Sequence, residues 1–197
     1  MTAREAHLVE LVDGDGVPVG SATVDQAHRA PGQLHRAFSV FLRDPDGRVL
    51  LQRRAEVKTR FPLRWANTCC GHPEPGEEVT VAAARRLIEE LGIDGVQLTD
   101  LGVYTYYAED PATGRVEHEY DHVLLGDLPV GVEPSPDPSE VAGLRWAAVP
   151  ELLEDLGRDG RAYAPWVVGV TNRLADHLAV FDPTSASEEL AERTGGR

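Results

Sequence analysis

Two apolar runs, residues 37–42 and 48–53, flank Asp44-Pro45-Asp46-Gly47. A Pro/Asp/Gly turn between apolar runs predicts a β-hairpin. The period then changes. Val81, Ala84, Leu87, Ile88 and Leu91 recur at helical spacing, and Gly92 stands where a helix-terminating glycine belongs. Residues 7–12 read as a short strand followed by a turn at 13–16. Residues 101–108 and 116–125 read as strands joined by the turn-rich 109–114. The proline-bearing stretch 131–139 reads as a loop, 143–149 as a strand, and 150–156 as a short helix with Pro150 at its first position. A longer helix starts near Pro165 and carries Trp166, Val170, Leu174 and Leu178. No internal repeat is present. Strands and helices interleave irregularly, which predicts an α+β fold, a helix–sheet–helix sandwich, over a doubly wound sheet. Residues 1–181 are expected to form one domain, and 182–197 a polar, flexible tail.

Composition narrows the function classes. A chain of 197 residues with 42% apolar content buries a sizeable core. No apolar run is long enough to span a membrane, and the first residues show no apolar signal core. The only cysteines are the neighbours Cys69 and Cys70. A bridge between them would be strained, so a reduced, cytoplasmic protein is expected. A net charge of −14 argues against nucleic acid and anionic membranes as partners.

Candidate chemistry gathers in a few places. Glu117 and Glu119 are two apart on a predicted strand and share a face. Two such carboxylates repel unless a cation or a shared proton stabilises them. Together with His28, His35 and His72 they suit a mid-series divalent ion such as Mn²⁺ or Zn²⁺. Taken singly, each histidine reads equally well as a surface or core side chain, and the carboxylates as a solvated edge. Arg53, Arg54, Lys58, Arg60 and Arg64 form a local basic excess opposed only by Glu56. It reads as a diphosphate clamp or as a solvated basic loop.

The segment from Cys69 to Ile93 is more specific. Gly71, Glu77, Arg85, Glu89, Glu90 and Gly92 fit the spacing G-x5-E-x7-R-x3-E-E-x-G, which resembles the Nudix box, a loop–helix–loop whose glutamates hold Mg²⁺ against a diphosphate. Arg86 departs from it: Nudix hydrolases usually carry glutamate there, so the hydrolytic reading weakens.

With Leu34-His35-Arg36-Ala37-Phe38-Ser39, Arg53-Arg54-Ala55, Trp65-Ala66-Asn67-Thr68, Cys70-Gly71-His72-Pro73, Glu117-His118-Glu119 and Tyr163-Ala164-Pro165-Trp166, the chain resembles the type I isopentenyl-diphosphate Δ-isomerases, a branch of the Nudix superfamily. The resemblance runs from about residue 7 to 181. It implies a Nudix-type α/β/α sandwich with a mixed sheet, and a prenyl diphosphate substrate. It implies a Mn²⁺ or Zn²⁺ site at His28, His35, His72, Glu117 and Glu119, and Mg²⁺ at Glu90. It implies Cys70, not Cys69, as the catalytic cysteine and Tyr106, ahead of Tyr107, as the active-site tyrosine. Arg54, Lys58 and Arg86 become the diphosphate clamp. The family often has a lysine where this chain has Val24, so one charge-assisted contact is missing.

On this reading Glu119, assisted by Tyr106, protonates C4 of isopentenyl diphosphate. Cys70 as thiolate takes the C2 proton, and Trp166 faces the intermediate tertiary cation; the directions exchange in reverse. The competing readings are a Nudix hydrolase, an isomerase-like protein doing other carbocation chemistry such as cyclisation, and a non-catalytic metal- or diphosphate-binding module.

Overall fold

The computed structural model describes residues 3–181. The tail at 182–197 lies outside the described residues, as do residues 1–2. A 3₁₀ turn, Ala3–Ala6, leads into the antiparallel pair β1 (Leu8–Val12) and β2 (Pro18–Thr23). A short helix, α1 (Val24–Ala27), follows. The sheet is organised around β3 (His35–Arg43), which reaches β4 (Val49–Arg54) through the hairpin turn. There the Asp44 carboxylate accepts hydrogen bonds from the backbone N–H groups of Asp46 and Arg48.

Two very short strands, β5 (Trp65–Ala66) and β6 (Cys69–Gly71), precede α2 (Val79–Leu91). Gly92 ends that helix with φ 64°, a conformation glycine adopts without a Cβ penalty. The long strands β7 (Leu98–Glu109) and β8 (Val116–Asp127) come next, then β9 (Val141–Ala147), α3 (Val149–Asp159) and α4 (Val167–Phe181).

On one side β3 pairs in parallel with β8, from His35 opposite Glu119 to Arg43 opposite Asp127. β7 extends that edge antiparallel. On its other side β3 meets β1, β6 and β4 in turn, and β4 carries β5 and β9. The sheet is therefore mixed. Alternate residues of a strand point to opposite faces, so β3 feeds two cores. Phe38, Val40 and Leu42 pack with Ala83, Leu87 and Leu91 of α2. Phe41 packs with Val123 and Leu125 of β8, Leu152 of α3, and Val170 and Leu174 of α4. Each such fully buried side chain contributes about 1.5–3 kcal/mol of transfer free energy. The sheet lies between α2 and the α3–α4 pair, the expected layering of an α+β sandwich. Among the described residues no helix is long and apolar enough to cross a membrane.

The hydrophobic pattern does not announce β2, α1, β5 or β6. β2 is a largely exposed edge of small residues. α1 is a single turn fixed by a capping box between Thr23 and Gln26. β5 and β6 are too short to display a period. α4 starts at Val167, so Trp166 stands just before the helix.

Candidate active site and metal centre

The elements that periodicity hides are the ones that carry much of the site. His28 follows α1, His35 opens β3, and His72 follows β6. The parallel register sets His35 beside Glu119, and Glu117 shares the face of Glu119.

Two hydrogen bonds fix the histidine tautomers. His28 Nδ1 donates to the Val24 carbonyl at 2.7 Å, and His35 Nδ1 to the Gln33 carbonyl at 2.7 Å. Each then turns its Nε2 inward, where it offers a lone pair once any proton there is shed. Both Nε2 atoms, and Glu117 Oε2, are buried without a hydrogen-bond partner. His28 Nε2 is 2.9 Å from Glu117 Oε2 but not aligned for a hydrogen bond. Glu119 Oε1 lies 4.0 Å from His28 Nε2, 3.7 Å from His35 Nε2 and 2.9 Å from His72 Nε2. Ligand atoms of His28, His35, His72 and Glu119 all fall within 4.8 Å of one another. Orphaned buried polar atoms cost about 1–3 kcal/mol each. A cation among them satisfies the orphans together, so this donor set fits a metal ion. Arg60 Nε donates to Glu117 Oε1 at 2.9 Å, and Arg60 Nη1 to Glu5 Oε1 at 3.1 Å. Arg60, visible in the sequence only as part of a basic cluster, thus orients a candidate ligand.

Electrostatics in the cluster are uneven. Burial disfavours a charged His28, but Glu117 beside it outweighs this and lifts it to about 9. Burial pulls His72 down to about 4. Burial opposes charge on Glu119 too, yet the facing imidazoles of His28, His35 and His72 hold it well below the usual carboxylate range. A metal ligand must shed its proton. At pH 7 metal binding should therefore release close to one proton, from His28, and the release should vanish above pH 9. Below that value affinity should fall about tenfold per pH unit. Titration calorimetry in buffers of different ionisation enthalpy measures the release; a proton-neutral uptake at pH 7 would contradict it.

Glu117, Glu119 and His72 face a cavity of about 290 Å³. His28 and His35 lie behind that wall, fully buried. Cys70, Tyr106 and Trp166 line the same cavity, as do Arg54, Lys58 and Arg86. Strand alternation separates the two cysteines: Cys69 is buried in the α2-side core, whereas Cys70 packs on the α4 side. Cys70 Sγ donates to Asn67 Oδ1 at 3.1 Å and lies 3.7 Å from Ser39 Oγ. Burial, helped by Asp121, pushes this thiol up to about 12. The Tyr106 hydroxyl donates to Glu119 Oε2 at 2.7 Å. Burial and the Glu119 charge raise Tyr106 well above its ordinary value, so it stays a phenol. Tyr104 stacks on Tyr106 with ring centroids 5.6 Å apart.

The cationic wall is held by carboxylates. Lys58 pairs with Glu140, and Arg86 with Glu89 and Glu90. Arg54 donates to the carbonyls of Arg60 and Phe61, and its guanidinium lies 5.2 Å from the Trp166 ring centroid. Glu90 is buried under Arg86 and accepts from Gln52 at 3.2 Å. Val24 lines the cavity, and so does Arg4, whose Nε is 2.7 Å from Glu140 Oε1. Arg4 and Glu140 escaped the sequence reading, and Asn67 stood in it only within the Trp65-Ala66-Asn67-Thr68 landmark, with no role of its own. Asp121 carried a signal as the next step of the two-residue period through Glu117 and Glu119.

The NUDIX domain profile matches residues 33–167. A Nocardia farcinica protein named isopentenyl-diphosphate Delta-isomerase is 60% identical over 82% of this chain and 91% of its own length. The chain belongs to the isopentenyl-diphosphate Delta-isomerase family of NUDIX proteins. A Streptomyces coelicolor relative of the same name is 46% identical over 92% of this chain and 90% of its own. Among solved structures, DR0079 from Deinococcus radiodurans is similar at TM-score 0.66 and 21% identity, covering 85% of this chain and 98% of that one. The MutT protein from Methanosarcina mazei gives TM-score 0.56 at 18% identity, covering 73% and 94%. These two likenesses speak for the fold alone. In this isomerase-family chain the box position that hydrolases fill with glutamate is Arg86, and its guanidinium is turned to Glu89 and Glu90.

Proposed function

We propose that this protein interconverts isopentenyl diphosphate and dimethylallyl diphosphate by protonation and deprotonation through a tertiary carbocation. The observation that carries the reading is one cavity holding a thiol on β6, a carboxylate on β8 and a basic wall, with β3 between the two proton-exchanging groups. Cys70 stands opposite Ser39 and Glu119 opposite His35, so the two groups are offset by four residues along β3 and by two strands across it, and both line the one cavity.

Arg54, Lys58 and Arg86 bind the diphosphate by charge-assisted hydrogen bonds. This anchors the hydrocarbon end against Tyr106 and Trp166, which line the same cavity. The double-bond electrons take a proton at C4, leaving a cation at C3. Loss of a C2 proton returns that C–H pair to form the C2–C3 double bond. His28, His35, His72, Glu117 and Glu119 would hold Mn²⁺ or Zn²⁺, which would supply charge that polarises the carboxyl groups; Glu90, buried under Arg86 and bonded to Gln52, would hold Mg²⁺ against the diphosphate only with that ion pair opened.

Burial raises the Cys70 thiol and the Tyr106 phenol, whereas the imidazoles facing Glu119 lower its carboxyl. This suits Cys70 giving and Glu119 taking, with Tyr106 steadying the carboxylate. In the reverse reaction Glu119 then gives at C2 and Cys70 takes from C4. The assignment expected from the sequence, Glu119 at C4 and Cys70 at C2, sets the two groups on the other carbons, and the burial of the Cys70 thiol weighs against it. Trp166 presents a ring face to the cationic intermediate, a contact worth about 2 kcal/mol when desolvated.

Isopentenyl diphosphate incubated with the protein, Mg²⁺ and Mn²⁺ in deuterated water should yield dimethylallyl diphosphate carrying deuterium in a methyl group. Inorganic phosphate release would instead select a hydrolase. A cyclic product would select other carbocation chemistry, and an unchanged substrate would leave a binding module.

A further inference from the structure

We propose that Asn67 is a positioning residue that locks the Cys70 thiol and the Trp166 indole to one another through a single carbonyl oxygen. The inference rests on the isomerase reading for its kinetic consequence, and on geometry for the lock itself.

Asn67 is fully buried between β5 and β6. Its Nδ2 donates to two backbone carbonyls, Val40 at 3.1 Å and Cys69 at 2.9 Å. Two carbonyls on that side fix the amide orientation, because the flipped form would face oxygen with oxygen. Oδ1 therefore points to the cavity wall. There it accepts from Cys70 Sγ at 3.1 Å and from Trp166 Nε1 at 3.0 Å. An amide side chain offers two donors and two acceptor lone pairs, and all four are engaged. None remains for water or for a ligand. Asn67 does not touch the substrate space itself; it acts through Cys70 and Trp166.

The anchor is stiff. Val40 belongs to the central strand, and Thr68, the next residue, accepts from Leu42 N at 2.8 Å and donates to Leu50 O at 2.6 Å. The Trp166 ring is held on other sides by Phe61, with centroids 5.8 Å apart, and by Tyr106 at 6.1 Å. A proton-exchanging sulfur and a ring that faces a cation must keep their distance from the same reacting carbons. Tying both to one oxygen fixes that distance from behind.

The lock is read directly by hydrogen exchange on isotopically labelled protein. The Trp166 indole N–H and the Asn67 side-chain amide protons should exchange slowly in the wild type. Asn67→Ala should speed Trp166 exchange about tenfold or more while circular dichroism stays native. Fast exchange of these protons in the wild type would overturn the lock without any variant having to fold.

Kinetically, Asn67→Ala should lower kcat for isopentenyl diphosphate about a hundredfold, since small misplacements cost that much, and leave KM within about threefold because the diphosphate clamp is untouched. Trp166→Phe, which keeps a ring but loses the donor, should combine with Asn67→Ala less than additively. A loss expressed in KM, or strict additivity, would reject the positioning role. A wild type that isomerises nothing would sink the proposed reaction, and the exchange rates would still decide the lock.

Discussion

Cys70→Ala lowers isomerase turnover by about 10²–10⁴-fold, the range expected for loss of a positioned proton-transfer group, while Cys69→Ala leaves the rate per folded molecule near that of wild type. The contrast follows from strand geometry. The two residues are neighbours on β6, but one side chain is buried against α2 and the other lines the cavity. Cys69 behaves as a small core side chain, and trimming it costs only packing. Steady-state rates of both variants, with circular dichroism to confirm folding, provide the check. Equal losses in the two, or a Cys70→Ala enzyme as fast as wild type, would remove Cys70 from the chemistry.

Glu119→Gln is expected to do more damage still, because the residue is placed to serve twice. Its Oε1 belongs to the group of converging ligand atoms, and its Oε2 accepts from Tyr106. Glutamine keeps the shape but can neither carry the negative charge nor exchange a proton. Turnover should fall by about 10³-fold or more, and purified protein should retain less Mn²⁺ or Zn²⁺ after mild chelation, measured as metal per chain. Tyr106→Phe removes only the 2.7 Å hydrogen bond and should fall between wild type and Glu119→Gln. If Glu119→Gln kept its metal and lost only rate, the residue would be a proton-transfer group alone. If it kept its rate, the proposed chemistry would fail.

The long elements were readable because each buries a full period. The 37–42 and 48–53 runs and the 116–125 strand carry enough apolar residues to mark them as buried strands. The 81–91 helix was legible as a helix but not in its facing: Val81 and Ile88 of its apolar stripe are exposed, while Ala82, Ala83, Arg86 and Glu90 are buried with Leu87 and Leu91. The site was readable only in part. Glu117 and Glu119 announce a shared face through their spacing, and Cys70-Gly71-His72 through its motif. His28 hangs on a four-residue helix, and Asn67 on a connection between strands of two and three residues. Such segments have no periodicity, and tertiary hydrogen bonds define them. The partnership of Arg60 with Glu117 was invisible for a similar reason: proximity in space is set by sheet order, which a linear reading does not contain.

That sheet order has a bearing on how the molecule comes together in time. His35 and Glu119 become neighbours only when β3 and β8 zip in parallel, and a parallel pair cannot close through a hairpin. Contacts between remote parts of a chain form slowly, since loop closure must precede any reward. A cation therefore finds no prebuilt local nest to seed the fold. Bound at this donor set, it would meet a completed cradle only after the central crossover is made, and would act as a latch on the finished molecule that slows escape from the native basin.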